Sequence, residues 1–287
     1  MSDYELIDFG AGRVLERFGQ FTLDRYSQAA TEFNKRTPNV WNKADAFFVE
    51  ETRPDEFDSI NQRGLWKGPW NPQPWSISIA QIVFELKCTP FGHVGIFPEQ
   101  ISNWRRITDN LLKLKKPDAE LRVMNLFAYT GGSTLAAAST GASVVHVDSA
   151  KNVVAWARKN AELSDLATAP IRWIADDAVK FVQRELKRSR KYDAIILDPP
   201  TYGHGTGKEV WKIARDLPIL LQSCFELIKD NSGFICLTCH SPQFDGAKLK
   251  TMLNKISPRG TIQTFPLSIT ARTGAVLPLG NGVIYFP

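Results

Sequence analysis

No run in the 287-residue chain approaches the ~18 uninterrupted apolar residues that a membrane-spanning helix requires, so no such helix is predicted and no membrane partner is expected. The opening MSDYELIDFG carries acids where a secretion signal would place a basic and then an apolar run, so a cytoplasmic location is expected. Cysteine is scarce. Cys88, Cys224, Cys236 and Cys239 are too few for a disulfide framework and read as reduced thiols. The C-x-x-C spacing of the last two lies on one predicted strand without a second pair, which argues against zinc or redox work. His93, His146 and His204 show no metal-ligand spacing, and no metal is expected. Internal repeats and low-complexity tracts are absent. So is any charge excess in the first part: residues 1–116 hold fifteen basic and fifteen acidic residues, and the whole net charge of +5 lies in 117–287. That mild surplus suits a polyanionic partner such as RNA.

With 43% hydrophobic residues, the chain is long enough for a small and a larger domain. "YELIDF" and "RVLERFGQFTL" alternate apolar and polar residues about Gly10-Ala11-Gly12 and predict a β-hairpin. Residues 38–75 are rich in aromatics and proline and read as irregular; "WSISIAQIVFELK" (75–87) reads as one strand. Residues 1–90 are therefore taken as a small β-rich domain, a candidate for substrate recognition, and residues 91–287 as a second domain. From residue 121 strands and helices alternate: five strands, each followed by a helix, then two closing strands near "TIQTFPLS" and "GVIYF" joined by a turn at Leu279-Gly280-Asn281-Gly282. This spacing predicts an α/β fold with a parallel sheet covered by helices on both faces.

Ligands of such sheets bind at the carboxyl ends of the strands. Here those ends carry Ala128-Tyr129-Thr130-Gly131-Gly132-Ser133, Asp148-Ser149, Asp176-Asp177, Asp198-Pro199-Pro200 and Cys239-His240-Ser241. Acids at strand ends also serve as helix caps, the plain structural reading, and Asp176 is a candidate cap. Gly131 and Gly132 let backbone N–H groups approach a ligand closely. Asp148 follows Gly131 by 17 residues, close to the ~20-residue offset at which a carboxylate meets ribose hydroxyls. Asp177 is placed to meet an adenine amino group. "AYTGGST" lacks the G-x-G-x-x-G of a dinucleotide site, so a phosphate-free, cationic nucleoside such as S-adenosylmethionine fits better than a nicotinamide cofactor.

"NLFAYTGGST", "VVHVDSAKNVVAWARKN", "ADDAVKFV", "YDAIILDPPTYG" and "GFICLTCHSP", in that order over roughly residues 91–240, resemble the class I S-adenosylmethionine-dependent methyltransferases. More narrowly they are similar to the bacterial group that includes 23S ribosomal RNA methyltransferases acting on the 5-carbon of cytosine. The resemblance implies a Rossmann-like sheet of seven strands, the last antiparallel. It also implies cofactor contacts at Phe127, Tyr129, Gly131, Gly132, Asp148, Asp177 and Asp198, with Ser149 and Pro199 beside them in the same loops. "GIFPEQ" resembles the element that precedes the first motif and touches cofactor, which makes Gln100 a candidate. The RNA-binding module that begins many relatives is not recognisable in the first 90 residues.

Two chemistries compete at the last strand ends. Cytosine-5 methylation needs a thiolate that adds to the base and a base that removes a proton, and the resemblance places Cys239 as that thiol and Asp198 as the base or cofactor ligand. His240 departs from the family's small polar residue at this point; it would lower the thiol's pKa or signal another target. The plain reading of Cys239 is a small core residue. Alternatively Asp198-Pro199-Pro200 resembles the motif with which amine methyltransferases hold an amino group while an aromatic stacks on the extruded base. Thr201 stands where that aromatic belongs, and Tyr202 comes one position late. Pro200, Tyr202, Lys212 and Arg215 are the candidate substrate contacts, with Lys208 and Trp211 beside them; a solvated amphipathic helix is the plain alternative. Gly203, Gly205 and Gly207 would let a loop close over the base. The expected function is therefore S-adenosylmethionine-dependent methylation of ribosomal or other structured RNA, with cytosine carbon favoured and an amine as alternative. A non-catalytic, cofactor-binding RNA module is the reading from a different class.

Overall fold

The computed structural model describes residues 3–50, 63–70, 73–117, 119–204, 210–229 and 232–287. Gly205, Gly207 and Lys208 lie outside the described residues. The chain divides into two units, 1–99 with 268–279 and 100–267 with 280–287.

The first unit is built on β1 (Tyr4–Gly10), β2 (Arg13–Phe18), β3 (Phe21–Tyr26), β4 (Ala46–Glu50) and β5 (Gly64–Lys67), which form one sheet in that order. The expected hairpin is β1–β2, in register from Tyr4↔Phe18 to Gly10↔Arg13. The second arm breaks at Gly19-Gln20 and turns back as β3, with Phe18 opposite Phe21. The stretch read as irregular contains β4 and β5, paired antiparallel. The single strand expected over 75–87 is a hairpin of β6 (Trp75–Ile79) and β7 (Ile82–Leu86). Ala80 and Gln81 turn it with φ of 51° and 65°, so neither residue type announces the turn. A buried acid organises this unit. Asp8 accepts hydrogen bonds from the backbone N–H of Thr37 (2.8 Å) and Arg36 (3.2 Å), the Thr37 hydroxyl (2.9 Å) and Trp41 Nε1 (3.0 Å). Burial alone would raise its carboxyl, but these donors outweigh burial and hold it below the usual range.

The second unit carries α1 (Ile101–Leu114), β8 (Arg122–Leu126), α2 (Gly132–Ala138), β9 (Ser143–Asp148), α3 (Lys151–Leu163), β10 (Ile171–Ala175), α4 (Ala178–Lys187) and β11 (Ala194–Leu197). The short pair β12 (Tyr202–His204) and β13 (Val210–Lys212) follows, then α5 (Ile213–Leu227), β14 (Phe234–Cys239), α6 (Gly246–Ile256), β15 (Thr261–Thr270) and β16 (Val276–Phe286). The sheet order is β10-β9-β8-β11-β14-β16-β15, seven strands as expected, with β16 antiparallel to β14. Connections run outward from β8 to β10 and then return to β11 on its other side. The switch point therefore lies between β8 and β11, where a crevice opens.

Period-2 alternation assigns the two faces. Ala194, Ile196, Phe234 and Cys236 pack with Ile107 and Leu111 of α1 and Ala137 of α2. Ile195, Leu197, Ile235, Leu237 and Cys239 pack with Phe181, Leu217, Leu221, Leu249 and Leu253 of α4, α5 and α6. The turn expected at Leu279–Gly282 is instead strand. The chain reverses at Ala271–Ala275, where Ala271 N–H bonds the Ala275 carbonyl at 2.8 Å. The glycines serve close approach: a β-carbon at Gly282 would lie 2.2 Å from the Phe265 ring.

Candidate functional site

The loop after β8 crosses the switch point in a strained conformation. Phe127 and Tyr129 have φ of 55° and 49°, and Gly131 has 92°. Bulky residues rarely occupy this left-handed region, and such outliers persist where surrounding bonds enforce them. Here they do. Ala128 N–H bonds the Val147 carbonyl (3.1 Å) and Asn160 Nδ2 bonds the Thr130 carbonyl (2.9 Å). Tyr129 N–H donates to Asp148 Oδ2 (2.9 Å), while Asp148 Oδ1 receives Ala150 N–H (3.0 Å). Burial outweighs these bonds and raises the Asp148 carboxyl. Gly132 opens α2 where any side chain would strike Trp104, at 2.3 Å from Cζ2.

Beside this loop a pocket is lined by Phe127, Val147, Asp148, Ser149, Asp176, Asp177, Ala178, Val179, Pro200, Gly203 and Trp211. Phe127, Asp148, Ser149 and Asp177 of the expected cofactor set line it, and Pro200 of the expected substrate set joins them. Three carboxylates line the pocket and, among the described lining residues, no lysine or arginine does. A phosphate-free ligand with a cationic centre fits that lining, whereas a pyrophosphate does not. Asp176 is not the cap. Asp177 precedes α4 and accepts Lys180 N–H at 2.9 Å, while Asp176 pairs with Arg184. Trp211 stands against Phe127, with ring centroids 5.0 Å apart, and donates to the Pro200 carbonyl at 2.8 Å. It walls this pocket, a place its sequence position beside Lys212 did not suggest.

Asp198 ends β11 opposite Thr238 of β14, since Leu197 pairs with Leu237. Its Oδ1 accepts the Thr238 hydroxyl at 2.7 Å and lies 3.4 Å from His240 Nε2. Its Oδ2 accepts Gln100 Nε2 at 3.0 Å. Burial alone would raise this carboxyl; His240, Thr238 and Gln100 outweigh it and keep the group below the ordinary carboxylate range. Asp198 therefore stays ionised and acceptor-only at neutral pH. Pro199 is buried behind it and Pro200 is exposed.

Cys239 sits on the other face of β14. It is 0% exposed, among the residues that meet α5 and α6. Burial pushes its thiol up to about 11; Ser241 N–H acts in the opposite direction without offsetting it. Of the remaining substrate candidates, Tyr202 is half-buried, and Lys212 is exposed ahead of α5. Arg215 is occupied by Asp216 and by the Val210 carbonyl. Sequence reasoning missed Asn103, which bonds Gln100 at 2.9 Å, and the role of Thr238.

A family model described as S-adenosylmethionine-dependent methyltransferase matches residues 73–239. Ribosomal RNA large subunit methyltransferase K/L of Shewanella sp. (strain MR-4) is 32% identical over 155 residues, 53% of this chain and 21% of that protein. The protein of that name from Pseudoalteromonas atlantica is 30% identical over 148 residues, 51% of this chain and 20% of that one. The chain thus spans about a fifth of the length of these curated relatives. The crystal structure of the SAM-dependent methyltransferase from Agrobacterium tumefaciens aligns over 100% of this chain and 91% of that one, with 34% identity and a TM-score of 0.88. A methyltransferase solved with SAH shares the fold at 18% identity and a TM-score of 0.75, over 99% of this chain and 75% of its own.

Proposed function

The chain belongs to the S-adenosylmethionine-dependent methyltransferase family, and from that premise we propose that it methylates a nitrogen of a base in ribosomal or other structured RNA, with Asp198 holding the target. The ribosomal RNA methyltransferases to which it is similar support an RNA substrate, as does the basic surplus of 117–287. A cytoplasmic location goes with that substrate. The carrying observation is the pair of environments at the end of the sheet: Asp198, two residues before the pocket-lining Pro200, is held ionised, whereas Cys239 is buried as a thiol.

S-adenosylmethionine, when bound, supplies an electrophilic methyl group on a sulfonium. Asp148 and Asp177 are the groups to hold its ribose and adenine, and the loop from Phe127 to Gly132 approaches it by backbone. The carboxylates on the wall tolerate its positive charge, and Phe127 and Trp211 exclude water from one side. The target is the weak partner. An amino group on a base has its lone pair drawn into the ring, and Asp198 accepting one of its hydrogens orients that lone pair and returns electron density to it. Because Thr238, Gln100 and His240 keep Asp198 a weak base, the released proton does not stay there. It leaves to solvent past His240, whose side chain is 33% exposed and 3.4 Å from Asp198. The base must leave its stack to reach this depth, and Pro200 and Tyr202 are the surfaces that meet it.

Carbon methylation through Cys239 is the second reading. It is favoured by the Ser241 N–H on the sulfur, and it requires the thiol to be both exposed and ionised. Labelled methyl transfer to total RNA separates the two. Asp198→Asn should lose at least about a hundredfold in rate, the scale on which positioned acid–base groups act, while Cys239→Ala should stay within a few-fold of the parent. The opposite pattern refutes the nitrogen reading.

A further inference from the structure

Behind Asp198 runs a chain of buried polar groups. Cys236 Sγ lies 3.1 Å from Asn103 Oδ1, Asn103 Nδ2 lies 2.9 Å from Gln100 Oε1, and Gln100 Nε2 lies 3.0 Å from Asp198 Oδ2 and 3.2 Å from Thr238 Oγ1. Cys236, Asn103 and Gln100 are 0%, 1% and 5% exposed, so water does not substitute for a lost partner. An amide has one end that donates and one that accepts, and a carboxylate only accepts. The direction of the whole chain therefore follows from its last member. Asp198 demands the amino end of Gln100, which turns the Gln100 carbonyl to Asn103. That carbonyl demands the amino end of Asn103, which leaves only the Asn103 carbonyl for Cys236, and Cys236 must donate.

We propose that Asn103 and Cys236 are positioning residues for the methyl transfer: a one-way hydrogen-bond relay from the buried Cys236 thiol through Asn103 locks the Gln100 amide with its donor end on Asp198. The relay deepens the reading in which Asp198 receives the target base and rests on it for its catalytic consequence. Burial pushes the Cys236 thiol up to about 12, so it is a donor throughout the working range. Cys236 and Cys239 are three apart on a strand and so face opposite sides, one toward α1 and the relay, the other toward α5 and α6.

Asn103→Asp is the diagnostic change because it reverses the relay at nearly constant shape. The carboxylate it introduces accepts from both neighbours, so Gln100 turns its amino end toward that carboxylate and its carbonyl toward Asp198. Asp198 then competes with a second carboxylate for the amino end of Gln100, and the acid limb of the kcat/KM profile for RNA should move up by about one pH unit, a tenfold loss of rate on that limb; the Cys236 variants, which add no charge, separate loss of the relay from simple repulsion. Cys236→Ala, which frees Asn103 to turn, should move the limb part of the way. Cys236→Ser, which keeps a donor, should restore it. The titratable groups facing Asp198 are His240 and the thiols of Cys236 and Cys239, with Arg106 of α1 acting on Cys236. His240 Nε2 also lies 3.3 Å from Gln100 Nε2, so it responds to reversal of that amide, and its own titration is followed by NMR in every variant.

A second readout is independent of activity. The S–H stretching band of Cys236, assigned by the Raman difference between the parent and Cys236→Ser, should lie at the low frequency of a donating thiol and rise in Asn103→Leu. A free-thiol frequency in the parent overturns the relay whatever the kinetics. A donating thiol whose loss leaves the pH profile unchanged in both Cys236→Ala and Asn103→Asp overturns the positioning role. If Asp198→Asn is also fully active, the fault lies with the reading of Asp198 itself and not with the relay. Should Asn103→Asp fail to fold, the Cys236 pair and the parent spectrum decide alone.

Discussion

Gly132 is the first residue of α2, and its place against Trp104 allows a quantitative prediction. A β-carbon there would lie 2.3 Å from Cζ2 and 2.7 Å from Cε2 of an indole that is 4% exposed. A rigid, enclosed ring cannot swing aside, and overpacking of this kind costs about 1–3 kcal/mol. The better helix propensity of alanine returns at most about 1 kcal/mol. Gly132→Ala should therefore lower the unfolding free energy by about 1–2 kcal/mol, read as a lower urea midpoint at unchanged slope. Removing the ring changes the outcome. In a Trp104→Leu background the new methyl group enters space the indole has left, so the double variant should be more stable than the sum of the singles by about 1–2 kcal/mol. Gly131→Ala is the contrast. Its cost lies in a φ of 92° and in Ala157 Cβ at 3.2 Å, so Trp104→Leu should not relieve it. Additivity of Gly132→Ala with Trp104→Leu would refute this account of the paired glycines.

Asp148→Ala removes an ionic acceptor from the pocket and from Tyr129 N–H, and should weaken S-adenosylmethionine by about 1.5–3 kcal/mol, or roughly ten- to 150-fold, in calorimetry. Because burial raises the Asp148 carboxyl, it protonates early on acidification, so cofactor affinity should fall before ordinary carboxylates titrate. Asp8→Ala strips an acceptor from several buried donors and should cost about 3 kcal/mol of stability by chemical denaturation. The Asp8 carboxyl is lower in the folded state than in the unfolded chain. Its contribution is therefore complete at neutral pH and is lost as pH falls below about 4; Asp8→Ala should narrow its deficit there.

The methyltransferase sheet was legible because each strand–helix step carries its own signal: apolar runs of four to six residues, then an acid or glycine, then a 3.6-period pattern. The same signals located Asp148, Asp177 and Asp198 at the strand ends. The first unit was less legible. Ala80-Gln81 turns a hairpin without a turn residue, so alternation read straight through it. At Leu279–Gly282 the error ran the other way, because glycines chosen for approach to Phe265 and to the Cys239 carbonyl imitate a turn. At the site, alternation along "FICLTC" already implied that Cys239 shares a face with Ile235 and Leu237 and that Thr238 shares one with Cys236. Which face meets Gln100 depends on α1 packing, and no local pattern carries that. Trp211 and Asn103 reach the site from elements distant in sequence from those they touch, Phe127 and Cys236.

The measurement that bears most directly on the central claim is the identity of the methylated atom. RNA modified by the purified chain with isotopically labelled S-adenosylmethionine is digested to nucleosides and resolved by mass spectrometry. The label is expected on a base nitrogen, undiminished in Cys239→Ala and absent in Asp198→Asn. Label in 5-methylcytidine, lost in Cys239→Ala, would contradict it.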